Sequence, residues 1–334
     1  RAFLASDIPY EFKDIEKKII DDYTIDFVLK KKLDIFPLYL TQPIIRYPLV
    51  GIGGLYRVAK INIAQGKLTA ITLFPYDLKN NAIIVYKFFN NENQMIMAYK
   101  KGEINKMRIS KKTTADFFKN WKNTQVKSEV NYQYLLTLFF NFNNPILKEK
   151  DFRQAIISGI DFSYFKEFGE IANSPYSSFH FVYNPLLKKY YYDPDKSKKI
   201  IENFKKKDKI RLELNTYSEF YDIAEYIVSE LKKVGLEVNI NILNYTSPGN
   251  FDLFLAYLDL PKDPDQYYFW HSTQKKTNIG NYSNVRVDKL LEDGRSTLDR
   301  NQRKEIYLKL QEILQNDPPA IFLFFPYTYL IERK

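Results

Sequence analysis

The chain contains no cysteine and, in 334 residues, only two histidines, three methionines and two tryptophans. The missing cysteines exclude disulfides, thiolate catalysis and cysteine-ligated metal. They leave the redox compartment open, because a cysteine-free chain suits either one. No apolar run approaches the ~20 residues that span a bilayer. The chain opens at Arg1 without a signal-peptide pattern, which reads as a processed chain or a fragment. Pro- and Ser-rich runs are scarce, and with 45% hydrophobic and 27% charged residues the chain is expected to fold. At ~100–200 residues per domain, its length fits two lobes.

The net charge of +10 suits an anionic partner in principle. The lysines are nevertheless scattered, in runs such as Lys30-Lys31-Lys32 and Lys205-Lys206-Lys207 that flank elements. A nucleic-acid footprint needs clustering on one face, so no nucleic-acid partner is expected.

Apolar alternation flanking Asp21-Asp22 predicts a β-hairpin, and further strands are expected at Tyr56–Ile63, Leu68–Phe74, Ile83–Phe89 and Tyr134–Phe140. After Asn141 the texture changes to alternating helices and strands. Phe220, Ile223, Ala224, Ile227, Val228, Leu231 and Val234 mark one helix face that Gly235 terminates, with a strand at Leu236–Leu243 behind it. Asp193-Pro194 predicts a capped helix from about Asp195 to Lys206, and Asp299 through Gln302 resembles a capping box. The second part therefore reads as an α/β lobe.

Gly51-Ile-Gly53-Gly54 fits neither phosphate-loop pattern and reads as a tight turn. His271-Ser272 lies near Asp259, Asp263 and Asp265, yet there is no nucleophile elbow, and adjacent His and Ser side chains poorly satisfy triad geometry. With His180 and His271 isolated, a metal site is equally thin. No catalytic residues, metal or cofactor are expected. Asp263-Pro-Asp265 precedes Tyr267-Tyr-Phe-Trp270, and four successive rings on a short helix cannot all enter one core. A pocket wall and packing between lobes both stay open.

The order of motifs adds a family. Asn278-Ile-Gly-Asn-Tyr-Ser-Asn284, Val287-Asp288-Lys-Leu-Leu291, Asp299 through Arg303 and Gln311 through Pro319 resemble the C-terminal lobe of family 5 extracellular solute-binding proteins. These are the oligopeptide-, dipeptide- and nickel-binding components of ABC importers. Asn141-Phe-Asn-Asn-Pro145, Phe152-Arg-Gln-Ala155, Ile160-Asp161, Tyr192 through Lys196 and Leu231 through Leu236 fit as well. Asp22 through Phe27, Val50 through Tyr56 and Ala98 through Ile104 match weaker signatures, the usual Gly-Thr-Gly-Pro-Tyr being altered to Gly51-Ile-Gly-Gly-Leu-Tyr56. Relative to the family, the chain looks like a fragment or a shortened relative.

The resemblance implies an α/β, two-lobed periplasmic binding protein-like fold (class II), with mixed sheets flanked by helices and a hinge between lobes. It divides the chain into residues 1–140 as part of lobe I, 141–325 as the C-terminal lobe carrying the ligand loop, and 326–334 as a return to lobe I. Hinge crossovers fall near Asn141, Asn144, Phe325 and Tyr327. Family peptide binders hold the ligand's α-amino group with an aspartate shortly before an acidic residue and proline. Here Asp259 is the first choice and Asp263 the second, and a purely structural capping role stays open for Asp263 and Asp265. Tyr257, Tyr267 and Trp270 are expected to line the cleft, with His271 and Asn143 among the ligand-binding residues. No Arg matches the family's carboxylate lock. The implied protein captures peptides, or alternatively a nickel chelate or another small solute, and delivers them to ABC permease subunits. It is extracytoplasmic, works as a monomer, and is tethered through a lipid anchor outside this sequence.

Overall fold

A computed structural model describes residues 15–40, 45–46, 50–51, 55–79, 81–206, 210–244 and 248–334. The expected turn at Gly51–Gly54 lies outside them except for its first residue. The chain forms two compact units, residues 1–128 with 329–334, and residues 129–328. The sequence-based boundaries, at 140/141 and 325/326, followed the Asn-rich turn and the end of an apolar run.

Among the described residues, the first unit begins with a hairpin of β1 (Glu16–Ile19) and β2 (Ile25–Val28), where Asp21 Oδ1 accepts the Tyr23 amide at 2.7 Å. A one-turn helix α1 (Phe36–Tyr39) and the short pair β3 (Ile45–Arg46) and β4 (Val50–Gly51) follow. A three-stranded antiparallel sheet joins β5 (Tyr56–Ala64), β6 (Lys67–Pro75) and β7 (Ile84–Lys87). Its first turn is Gln65-Gly66, with φ of 52° and 72°, the left-handed pair that matches strand twist in a two-residue hairpin. Helix α2 (Glu92–Lys101) starts on Asn91, whose side chain accepts the Gln94 amide, and ends on Gly102 at φ 80°. With β8 (Lys106–Ile109) and α3 (Lys112–Lys119) it encloses a small core, in which Tyr99 meets Phe118 edge-on at 5.3 Å. The chain passes from the first unit to the second within β9 (Thr124–Val130).

The second unit is built on a mixed sheet. Its strands are β10 (Tyr134–Phe140), β11 (Gly169–Ile171), β12 (Arg211–Tyr217), β13 (Glu237–Leu243), β14 (Leu253–Asp259) and β15 (Ala320–Arg333). Their spatial order is β11-β15-β10-β14-β12-β13. β12 is parallel to both neighbours, and β10 is antiparallel to β14 and β15. Residues of β15 through Thr328 belong to this unit; Tyr329 to Glu332 pair with β8 in the first.

Period-two alternation sends neighbouring side chains to opposite faces, and each face has its own core. Leu136, Leu138, Leu253, Leu255, Leu212 and Leu214 face one core, which is closed by helices α5 (Lys150–Ser158), α6 (Pro194–Lys205) and α7 (Tyr221–Lys233). Leu135, Phe139, Phe254, Ala256 and Leu258 face the other, under α9 (Val285–Ser296) and α10 (Arg300–Asn316). The one-turn helices α4 (Pro145–Lys148) and α8 (Tyr267–Trp270) precede α5 and α9 respectively. In β15 the phase slips, because Leu136 pairs with Phe324 while Thr137 pairs with Phe322. The extra residue, Leu323, is a β-bulge that turns both Leu323 and Phe324 toward the first core.

Helix starts follow the expected chemistry. Asp193 accepts the Lys196 amide at 3.0 Å and Asp299 the Gln302 amide at 2.8 Å. Gly235 ends α7 in the left-handed region at φ 84°.

Two buried polar groups tie distant segments together. The Arg153 guanidinium is 1% exposed, forms a short ion pair with Asp317, and donates to the carbonyls of Pro318, Leu147 and Lys148 at 2.9, 2.7 and 2.9 Å. Gln311 uses both ends of its amide, accepting from Ser174 Oγ at 2.8 Å and the Asn184 amide at 3.2 Å while donating to Val182 and Tyr307 carbonyls at 2.7 and 2.9 Å. Truncating one partner of a buried pair strands the other charge. Arg153→Ala is therefore expected to destabilise folding by about 3–5 kcal/mol in urea titrations. Arg211→Ala, which breaks the exposed pair with Glu237, should cost at most about 1 kcal/mol. Equal losses would contradict this assignment.

Candidate functional site

The sheet's topology marks one place in the second unit. From β12 the chain crosses through α7 to β13 on one side, whereas β14 lies on the other side of β12. The carboxyl ends of β12 and β14 thus meet where the connections diverge, the switch point at which open α/β sheets bind ligands. β14 ends there with Tyr257 and Asp259, and antiparallel β10 begins there with Tyr134, paired in register with Asp259.

Tyr134, Tyr257 and Asp259 occupy odd-and-even positions that place all three on the α7 side of the sheet. Tyr257 is 37% exposed; its ring lies 5.5 Å from Tyr134 and 4.8 Å, edge-on, from Phe220 at the head of α7. Burial, helped by the negative charge of Glu219, pushes the Tyr257 hydroxyl up to about 12, so it stays a neutral donor at physiological pH. The Asp259 carboxylate is exposed and accepts from Gln133 Nε2 at 3.2 Å. Among the described residues, no cation lies within ion-pair distance of it. An acidic group beside two phenol rings at a strand edge can hold an ammonium group by a charge-assisted hydrogen bond and ring contact.

The two other acids of the loop are differently placed. Asp263 is held by Arg303 through two hydrogen bonds, Nη1 to Oδ2 at 2.9 Å and Nη2 to Oδ1 at 2.6 Å. Asp265 is 3% exposed and lies 2.9 Å from Arg295 Nε. Burial pushes its carboxyl above the ordinary range, against the opposing pull of Arg295. Each also accepts a backbone amide two residues on, Asp265 N at 2.9 Å and Tyr267 N at 3.0 Å. These successive turns delay α8 to Tyr267, so both acids lie ahead of the short helix.

The remaining expected site residues scatter. Trp270 is 2% exposed, packs against Phe139 and Phe322, and donates from Nε1 to Gln266 Oε1 at 2.7 Å, so it is a core ring of the second unit and not an open wall. Tyr267 is partly exposed, stacked at 4.1 Å on His271 with the Arg295 guanidinium 4.2 Å from its ring centre. His271 is buried, its Nδ1 2.8 Å from Thr273 Oγ1 and its Nε2 3.4 Å from Glu292. Among the described residues, no cluster of three His, Cys, Asp or Glu side chains is arranged to hold a metal. Asn143 is exposed on the turn after β10, its amide bonded to Asn141 Oδ1 at 3.0 Å.

Of the expected hinge residues, Asn141 donates to the Phe251 carbonyl at 2.6 Å and Asn144 to Asp252 Oδ1 at 2.8 Å. Phe325 pairs with Glu170, and the Tyr327 amide donates to the Phe168 carbonyl at 2.8 Å. All four lie inside the second unit. Sequence reading missed Tyr134, Phe220 and Gln133, because only the strand register brings them beside β14.

Fold and motifs together place the chain in a family of solute-binding proteins. Residues 4–281 match the bacterial extracellular solute-binding proteins, family 5 Middle, and the chain belongs to that family, one of binding proteins and not of enzymes. The oligopeptide-binding protein AppA of Bacillus subtilis is 26% identical over 281 residues, which is 74% of this chain and 51% of that relative. The chain thus spans about half the length of AppA. The fold matches NikZ from Campylobacter jejuni in complex with Ni(L-His), with a TM-score of 0.81 and 22% identity over 97% of this chain and 74% of that one. It also matches the Bacillus subtilis AppA structure with a nonapeptide, with a TM-score of 0.74 and 23% identity over 96% of this chain and 74% of that one. Among the described residues, no helix is long and apolar enough to cross a membrane.

The two acids at either end of this loop should separate in stability measurements. Asp263→Asn, which leaves Arg303 buried and half-paired, is expected to cost about 3–5 kcal/mol in chemical denaturation. Asp259→Asn should stay within about 0.5 kcal/mol of the wild type. A reversed order would place the structural carboxylate at Asp259 instead.

Proposed function

We propose that the chain binds peptides, and that the Tyr134–Tyr257–Asp259 edge of the second unit receives the ligand's amino end. The observation that carries this reading is the contrast among the acids. Asp263 is paired with the buried Arg303 and Asp265 with the half-buried Arg295, whereas Asp259 stands exposed at the switch point with a neutral amide as its neighbour. Peptide main chain supplies the complementary groups, an ammonium for the carboxylate and amides for strand-end hydrogen bonds. The name of the AppA relative agrees with a peptide ligand. As part of this reading, the protein is extracytoplasmic and delivers its cargo to the permease subunits of an ABC importer. It acts as a monomer attached to the membrane through a lipid group outside this sequence.

A pool of di- to pentapeptides titrated in calorimetry and thermal-shift assays is the test, with nickel–histidine as the comparison. Peptides should raise the melting temperature of the wild type, and Asp259→Asn should weaken their binding about ten- to a hundredfold, the worth of one charged hydrogen bond. Stabilisation by nickel–histidine and by no peptide would replace this reading with a metal-chelate one.

A further inference from the structure

The second unit carries a concavity beside α5 and α6, with a volume of about 450 Å³ and no lining residue in common with the β14 strand end. That volume lies in the range of small-molecule sites. Lys150, Lys188, Lys189 and Lys196 line it, with Asp193 as the carboxylate among the lining residues. Asp193 Oδ1 already accepts the Lys196 amide as the cap of α6. Among the described residues, none of the four ammonium groups has an ion-pair partner. Neighbouring side chains of like charge repel each other, and a multiply charged anion placed between them removes that cost.

The walls are held in place without such an anion. Gln315 clamps the loop that carries Lys188 and Lys189, accepting the Lys188 amide at 3.1 Å and donating to its carbonyl at 2.6 Å. Asn173 Nδ2 adds a bond to the same carbonyl at 3.2 Å. Tyr190, between that loop and the core, has its ring tilted against Phe162 at 4.6 Å, and its hydroxyl accepts the Phe322 amide at 3.3 Å. On the opposite side Gln154 Nε2 reaches the carbonyls of Gln315 and Asn316 at 3.3 and 3.4 Å. A pinned backbone under flexible ammonium groups lowers the ordering cost of binding.

We propose that this basic hollow is a binding site for a phosphate-type polyanion, either free in solution or borne on a lipid headgroup. The site is separate from the peptide-binding edge, and its test does not depend on that reading. Inorganic pyrophosphate is titrated by calorimetry into the full chain at about 0.05 M salt, where screening is weak. The expected result is one pyrophosphate per chain, with affinity falling at least about tenfold in the Lys188→Gln/Lys189→Gln/Lys196→Gln variant and falling again as salt rises. The single variant Lys150→Gln, at the first position of α5, should give an intermediate loss, and circular dichroism confirms that both variants keep the fold. Phosphatidylglycerol vesicles form the second arm. Pelleting of the wild type but not the triple variant assigns a lipid-borne phosphate, and pyrophosphate binding without pelleting assigns a soluble one. Absence of binding in both arms, or equal binding by wild type and triple variant, overturns the proposal.

Discussion

A sheet buried on both faces has only its strand ends to offer a ligand. In the second unit β10, β14 and β12 are covered by α5, α6 and α7 on one side and by α9 and α10 on the other, and nearly every side chain of β10 and β14 is consumed by one core or the other. Exposure returns at Tyr257 and Asp259, where β14 runs out of covering helices. The position of a polar, aromatic edge is thus dictated by packing. Parallel pairing of β12 with both neighbours then fixes which end it is, since the crossover through α7 must leave from the same end.

Much of the signature that resembles the family works to hold this layered unit together. Arg153, from the Phe152-Arg-Gln-Ala155 segment, is joined to Asp317 of the Asn-Asp-Pro-Pro segment, 164 residues away. Asn278 bonds both the amide and the carbonyl of Tyr282, and Gly280 lies so close to β10 that a Cβ there would sit 2.4 Å from the Phe140 carbonyl. Asn284 accepts two amides to start α9. Such residues identify a fold through its joints. The edge proposed to receive the ligand is made of other residues, Tyr134, Tyr257 and Asp259, whose types are common and whose meaning comes from placement.

That division explains what was legible in the sequence. The hairpin at Asp21, the strand Tyr134–Phe140, the cap at Asp193 and the stop at Gly235 were readable because each depends on neighbours within a few residues. The roles of the acids after β14 were not. Asp263 and Asp265 look like Asp259 until Arg303 and Arg295 arrive from helices that begin only at Arg300 and Val285. Trp270 misled for the same reason: its neighbours Phe139 and Phe322 come from strands far away in the chain. The bulge at Leu323 is equally invisible in a run where every residue is apolar.

Hydrogen exchange of backbone amides, with and without a saturating peptide pool, tests the central claim most directly. Ligand at the switch point should slow exchange in 257–260 and 218–220 while leaving α9 and α10 unchanged. Measurable binding with protection confined to other segments would contradict it.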